Sequence, residues 1–304
     1  MKTHWFINFL HYYYKTKILG KRYPLLAGYK ITHKCNLKCG HCPFWKENRP
    51  QLTFSEIKTL FKKLHTLGIR ILLMEGGEPF LWKDGQYTLQ DVVNEGKKYF
   101  YSVGVTTNGT LPLELESSTL WVSIDGLEET HNRIRNNNIF KTVLQHIEKS
   151  THPHLFANTT ISRVNYKEIP DLIRFLADKV KGITFQFYYP YDKNDEFYLP
   201  FDERRKVLDE IIDLKQKGFP VANSFGGLMA LKGTRWTKRC FDWMVASIEP
   251  DGEISQGCYV KNRGQVQCEV CGFSTHAELS LAYDLSISSI FIGRKIFNYT
   301  PTSS

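Results

Sequence analysis

No apolar run in the 304 residues approaches the ~20 needed to cross a bilayer, which excludes a transmembrane helix. The amino-terminal stretch lacks an apolar region ending in a small-residue cleavage site. The expected compartment is therefore the reducing cytosol, and the seven cysteines need an explanation other than disulfides. Internal repeats and low-complexity segments are absent, which excludes solenoids and linker-dominated chains. Negative charge is almost missing from residues 1–50, where Glu47 is the one acid among ten Lys and Arg. The rest of the chain balances, so the net charge of +9 is local. Composition is otherwise that of a folded chain, 42% hydrophobic and 23% charged.

The basic end is also aromatic, with Trp5, Phe6, Phe9, Tyr12, Tyr13, Tyr14 and Tyr23 interleaved among lysines and arginines. Read as a helix, Trp5, Phe9 and Tyr13 share a broad apolar face with Phe6, Leu10 and Tyr14. That segment suits peripheral contact with an anionic membrane, docking on the open side of the rest of the chain or, as the least favoured of the three, an anchor for nucleic acid. The competing reading of the whole chain is a non-enzymatic zinc- or nucleic-acid-binding protein whose cysteines are structural.

From residue 28 the pattern alternates β-branched runs with helical stretches. Strands are predicted over 28–32, 69–74, 102–106, 120–124, 155–161 and 183–188. Helices are predicted over 54–67, with Thr53 or Ser55 as cap, and over 89–99, 140–149, 166–180 and 201–217. Six β-α units in succession imply a parallel sheet with right-handed crossovers, too few to close an eight-stranded barrel. The expected fold is α/β, a partial (β/α)6 TIM-like barrel over 28–218, preceded by the basic segment 1–27. After Gly218 the strands 245–249 and 253–258 flank Pro250-Asp251-Gly252, a hairpin turn, so a small second unit is placed at 219–304.

Cys35, Cys39 and Cys42 fall within eight residues just past the first strand, at the mouth where barrel active sites lie. Three thiolates suit a soft metal, either an iron–sulfur cluster with one open iron or a zinc completed by His41 or His33. Four further thiols, Cys240, Cys258, Cys268 and Cys271, bracket the hairpin and end in a CxxC. Four thiolates complete one cluster or one zinc.

The run from Cys35 to Cys42 has the CxxxCxxC spacing of the radical S-adenosylmethionine (SAM) enzymes, and its context resembles that family further. Gly76-Gly77-Glu78-Pro79 follows the second strand, Thr107-Asn108-Gly109 the third and Ser123-Ile124-Asp125-Gly126 the fourth. The resemblance covers about 28–218. It implies a [4Fe–4S] cluster on Cys35, Cys39 and Cys42 whose open iron is chelated by SAM. Reductive cleavage then yields methionine and a 5′-deoxyadenosyl radical that abstracts hydrogen from an unactivated carbon. The electron would come from a donor such as ferredoxin or flavodoxin.

On that resemblance Gly76 and Gly77 let backbone approach the methionine moiety, while Glu78, beside Pro79, accepts from its ammonium. Asn108, Ser123 and Asp125 offer polar groups to ribose and carboxylate. Arg135, with Arg133 as a near-equal alternative, pairs with the SAM carboxylate, and His41 packs beside the adenine. The second cysteine set resembles the twitch unit, a shortened relative of the SPASM domain, which implies an auxiliary [4Fe–4S] cluster on Cys240, Cys258, Cys268 and Cys271. Substrate and catalytic residues beyond SAM binding are not specified by the motifs, although Gln186, Tyr188 and Tyr189 end the sixth strand and could face a substrate.

Overall fold

The computed structural model describes residues 9–190, 195–261 and 263–297. Eight strands form one sheet: β1 (Leu26–Thr32), β2 (Ile71–Gly76), β3 (Ser102–Thr107), β4 (Thr119–Ser123), β5 (Leu155–Ile161), β6 (Ile183–Phe187), β7 (Val245–Ile248) and β8 (Ile254–Gln256), in the order β8-β7-β1-β2-β3-β4-β5-β6. β1 to β6 are parallel in sequence order, as a right-handed succession of β-α units requires. The hairpin does not stand apart from this sheet. β7 runs parallel to β1, with Leu26 opposite Val245, and β8 returns antiparallel beyond it.

The helices on the outer face are α1 (Phe54–Thr66), α2 (Leu89–Gly96), α3 (Glu128–Arg135), α4 (Phe140–Lys149), α5 (Ile169–Leu176) and α6 (Phe201–Gln216). α1 starts on Thr53, whose hydroxyl accepts from the Glu56 amide while the Glu56 carboxylate accepts from Thr53, a capping box that settles the choice of cap. α6 ends at Gly218, which adopts φ +91°, the left-handed conformation that glycine enters without strain. Alternate strand residues such as Tyr29, Leu72, Val105 and Val122 are sealed between sheet and helices in the main core.

Four helices escaped the periodicity argument. α3 is short and highly charged; α7 (Phe225–Leu231) exposes Phe225 and Met229, α8 (Ser274–Tyr283) buries Ser280, and α9 (Ile287–Ile296) buries Ser289 while exposing Ile287 and Phe291. α9 brings Ile292 and Ile296 against Trp121 and Phe156 on the inner face, closing the end of the barrel opposite the cysteines.

The basic segment is docked in cis over its described part. Residues 9–13 are helical and a π-helical turn, Tyr14–Ile18, follows. Tyr12 is 5% exposed, donates its hydroxyl to the Tyr23 carbonyl at 3.0 Å and packs with Met244 and Tyr283. Lys17 sits 4.2 Å from the centre of the Tyr283 ring. Trp5 and Phe6 lie outside the described residues. A chain lacking residues 1–22 is therefore expected to lose stability. A fully buried large apolar side chain contributes about 1.5–3 kcal/mol, so a chemical-denaturation midpoint unchanged by the truncation would contradict this packing.

Candidate functional site

The cysteine loop leaves β1 and is held by the ends of the next two strands. The Gly77 amide donates to the Thr32 carbonyl at 2.7 Å and the Glu78 amide to the Lys34 carbonyl at 2.8 Å. A side chain on either glycine has no room. A Cβ at Gly76 would lie 2.3 Å from the Thr32 oxygen, and one at Gly77 would lie 2.2 Å from the Lys34 oxygen. The glycines are needed for the cysteine loop's own backbone to come close, which differs from the expectation that they clear space for a ligand.

Glu78 also differs from its expected part. It is fully buried, and its carboxylate accepts from the Thr107 hydroxyl and Asn108 amide, each at 2.7 Å, and from the Phe80 amide at 3.2 Å. Burial pushes its pKa up against those three hydrogen bonds. Fully buried and accepting from three donors, this carboxylate ties β2 to β3. Pro79 opens the tight turn Pro79–Leu81 that follows.

Asn108 turns its side chain to the loop, donating to Asn36 Oδ1 at 2.8 Å with Cys35 Sγ 3.9 Å away. Ser123 ends β4, half-buried, opposite Asn158. Asp125 is 1% exposed, and its carboxylate lies 2.5 Å from Arg135 Nη2 while also accepting from the Thr160 amide at 3.0 Å. Burial would raise the Asp125 pKa, but the guanidinium, with His41 and His131 beyond it, holds it below the ordinary carboxylate range. Of the two arginine candidates, Arg135 is buried and hydrogen-bonds Cys39, with Cys42 close by, whereas Arg133 is on the surface and donates to the Val164 carbonyl at 3.3 Å.

Burial raises Cys39, which the neighbouring Arg135 opposes, and raises Cys35 to about 11. His41, next to Cys42 in sequence, packs edge-on to Tyr188 and Phe197, and burial lowers it to about 4, so its ring is neutral. His41 Nδ1 and Arg135 Nε are buried without a hydrogen-bond partner, as expected of groups that await a ligand. Among the described residues no three His, Cys, Asp or Glu side chains converge on a single ion, the arrangement that mononuclear zinc needs.

The second cysteine set is clustered as well. Cys258 interacts with Cys268, and Cys271 with both, while burial raises Cys240 to about 12 and Cys271 to about 11. The CxxC loop is fastened to the barrel by Arg204, which is fully buried, stacks on Phe187 and Phe201, and donates to the Val270 and Cys271 carbonyls. Tyr189 joins it, accepting from the Gln267 amide and donating to the Gln265 carbonyl, both at 2.7 Å.

Between the two cysteine sets lies a buried ionic network that motif reading missed. Lys30 Nζ lies 2.7 Å from Glu75 Oε1 and 2.6 Å from the hydroxyl of Tyr259, the neighbour of Cys258. Arg263 pairs with Glu249 at 2.5 Å, and His33 stands 3.4 Å from the same carboxylate. Burial would raise Glu249, but His33 and Arg263 bring it down to about 2. The available signal was a lysine inside an otherwise apolar buried strand, since such a charge needs a partner.

Residues 29–176 match the family model described as the radical SAM superfamily. Among curated proteins, the chain is 27% identical over 214 residues to the Fe-coproporphyrin III synthase of Methanosarcina barkeri, covering 63% of this chain and 53% of that protein. It is 30% identical over 191 residues to the AdoMet-dependent heme synthase of the same organism, covering 57% and 53%. The chain thus spans about half the length of these relatives. Among solved structures, Streptococcus suis SuiB bound to SAM aligns with a TM-score of 0.62 at 16% identity, covering 91% of this chain and 70% of SuiB, which speaks for the fold.

Proposed function

Because the match over 29–176 makes this chain a member of the radical SAM superfamily, we propose that it reductively cleaves SAM and directs the resulting radical at an unactivated C–H bond of a substrate held in the barrel. The observation that carries this reading is the meeting of four strand ends on the cysteine loop, with the buried Arg135–Asp125 pair set against Cys39. Cys35, Cys39 and Cys42 would hold a [4Fe–4S] cluster, which when bound supplies the electron for sulfonium cleavage.

The remaining work belongs to the chain. Arg135, kept cationic by Asp125, offers its guanidinium to the SAM carboxylate. The Gly76 and Gly77 carbonyls, rather than Glu78, are suited to accept from the ammonium. Asn108 and Ser123 supply short polar groups for ribose, and neutral His41 packs beside the adenine. Cys240, Cys258, Cys268 and Cys271 would hold an auxiliary [4Fe–4S] cluster with no open iron, serving electron transfer or the fold. A ferredoxin- or flavodoxin-type protein fits as donor.

The test is anaerobic reconstitution, with iron near eight atoms per chain and slow formation of 5′-deoxyadenosine under dithionite as the expected result. Replacing Cys268 and Cys271 by Ala should remove about four of those irons and leave the barrel's share, because the two cysteine sets occupy different loops. Loss of zinc in place of iron from that variant would overturn the auxiliary-cluster reading. Colourless wild-type protein with stoichiometric zinc would overturn the whole proposal.

A further inference from the structure

The inward-facing side chains of the sheet change character along the strands. Residues two apart share a face, and in β2 Leu73 is followed by Glu75, in β4 Trp121 by Ser123 and in β5 Phe156 by Asn158. The direction is the same each time, apolar at the amino-terminal end of the sheet and polar at the carboxyl-terminal end, beside the cysteine loop. Registration makes these steps layers, since Trp121 lies opposite Phe156 and Ser123 opposite Asn158. Thr184 and Gln186 of β6 continue the polar layer, with Thr184 opposite Asn158.

The described residues do not fill the interior. A cavity of about 700 Å³ is lined by Glu75, Asn158 and Gln186 above and by Leu73 and Trp121 below. It continues between Phe9 and Tyr12 on one side and Ile290 and Gly293 of α9 on the other. That volume lies within the ~300–1,000 Å³ of small-molecule sites. Leu73, Trp121, Leu279 and Ile292 leave apolar surface that a compact polar metabolite would not use, while Lys15, Arg70 and Arg294 also line the cavity.

We propose that the substrate is an amphiphile carrying an aliphatic chain, its polar end beside Glu75, Asn158 and Gln186 and its chain running past Leu73 and Trp121 toward α9. The reacting carbon then lies at or near the polar end, on the side of the cysteine loop. This inference rests on the radical SAM reading for the word substrate, and on the cavity alone for the chain.

Gly293 supplies the test. It lines the cavity, and a Cβ built on it meets nothing within 4 Å, so Gly293→Phe places a ring in open space within a helix that gains propensity. Ala282→Phe narrows the same space from α8. Equilibrium dialysis of the reconstituted holoenzyme against radiolabelled 1-octanol, 1-decanol and 1-dodecanol should give one saturable site whose affinity rises about fourfold per methylene. In a variant with unchanged iron content and melting temperature, dodecanol affinity should fall at least tenfold. Unsaturable binding, or binding equally strong in both folded variants, means adsorption to the surface and overturns the proposal. Should 5′-deoxyadenosine formation be intact while no alkanol binds, the substrate class is wrong and the superfamily reading stands. Saturable alkanol binding by a protein that holds no iron and never cleaves SAM would instead remove the reading under which the amphiphile is a substrate.

Discussion

Cys39→Ala is expected to bring 5′-deoxyadenosine formation below detection and to lower iron by about four atoms per chain, with the auxiliary share retained. Cys39 is the most buried of the three thiols, between Cys35 and Cys42 in a loop whose backbone is fixed on both sides. The Gly40 amide donates to the Ile134 carbonyl at 3.1 Å, and the Cys39 carbonyl accepts from the Cys42 amide at 3.3 Å and the Trp45 indole at 3.2 Å. A loop held this way cannot swing another ligand into place, so two thiolates remain where three are required. Iron and sulfide analysis alongside product chromatography checks the result. Undiminished SAM cleavage by the variant would remove Cys39 from the ligand set.

Asp125→Ala should cost about 3–5 kcal/mol of stability, the usual penalty for leaving a buried charge without its partner. The Arg135 guanidinium is buried with its Nε already lacking a hydrogen bond, so water cannot readily replace the carboxylate. The pH dependence has a definite sign. The Asp125 carboxyl titrates in the folded protein below its ordinary value of ~3.9, so its contribution is whole above that pH and is lost as pH falls through the depressed value. Wild type should therefore lose stability more steeply than Asp125→Ala below about pH 4. Denaturant melts of both proteins at neutral and acid pH check this. A difference under about 0.5 kcal/mol at pH 7 would mean that the pair is solvated.

The structural positions of Arg133 and Arg135 show where sequence reasoning stopped. Both lie on α3, two residues apart, and spacing could not choose between them. Helical geometry sends residues two apart in different directions, so one faces the barrel and Asp125 while the other faces solvent. Glu78 teaches the same lesson. The Gly-Gly-Glu-Pro motif marks the right loop, yet the use of its carboxylate depends on Thr107 and Asn108, about 30 residues further on and adjacent only because β3 pairs with β2.

Strand alternation, helix caps and cysteine spacing are local patterns, and the chain by itself determined the six-strand succession, the hairpin and the two thiol clusters. The pairing of β7 with β1, the closure of the barrel by α9 and the docking of the basic segment on Met244 and Tyr283 are contacts between distant residues. No short-range period encodes them. The Lys30–Glu75–Tyr259 contact belongs with these, since it joins a lysine in the first strand to a tyrosine 229 residues later. The fold alone decided those neighbours, because the burial of a charge is affordable only where the packed chain brings its partner.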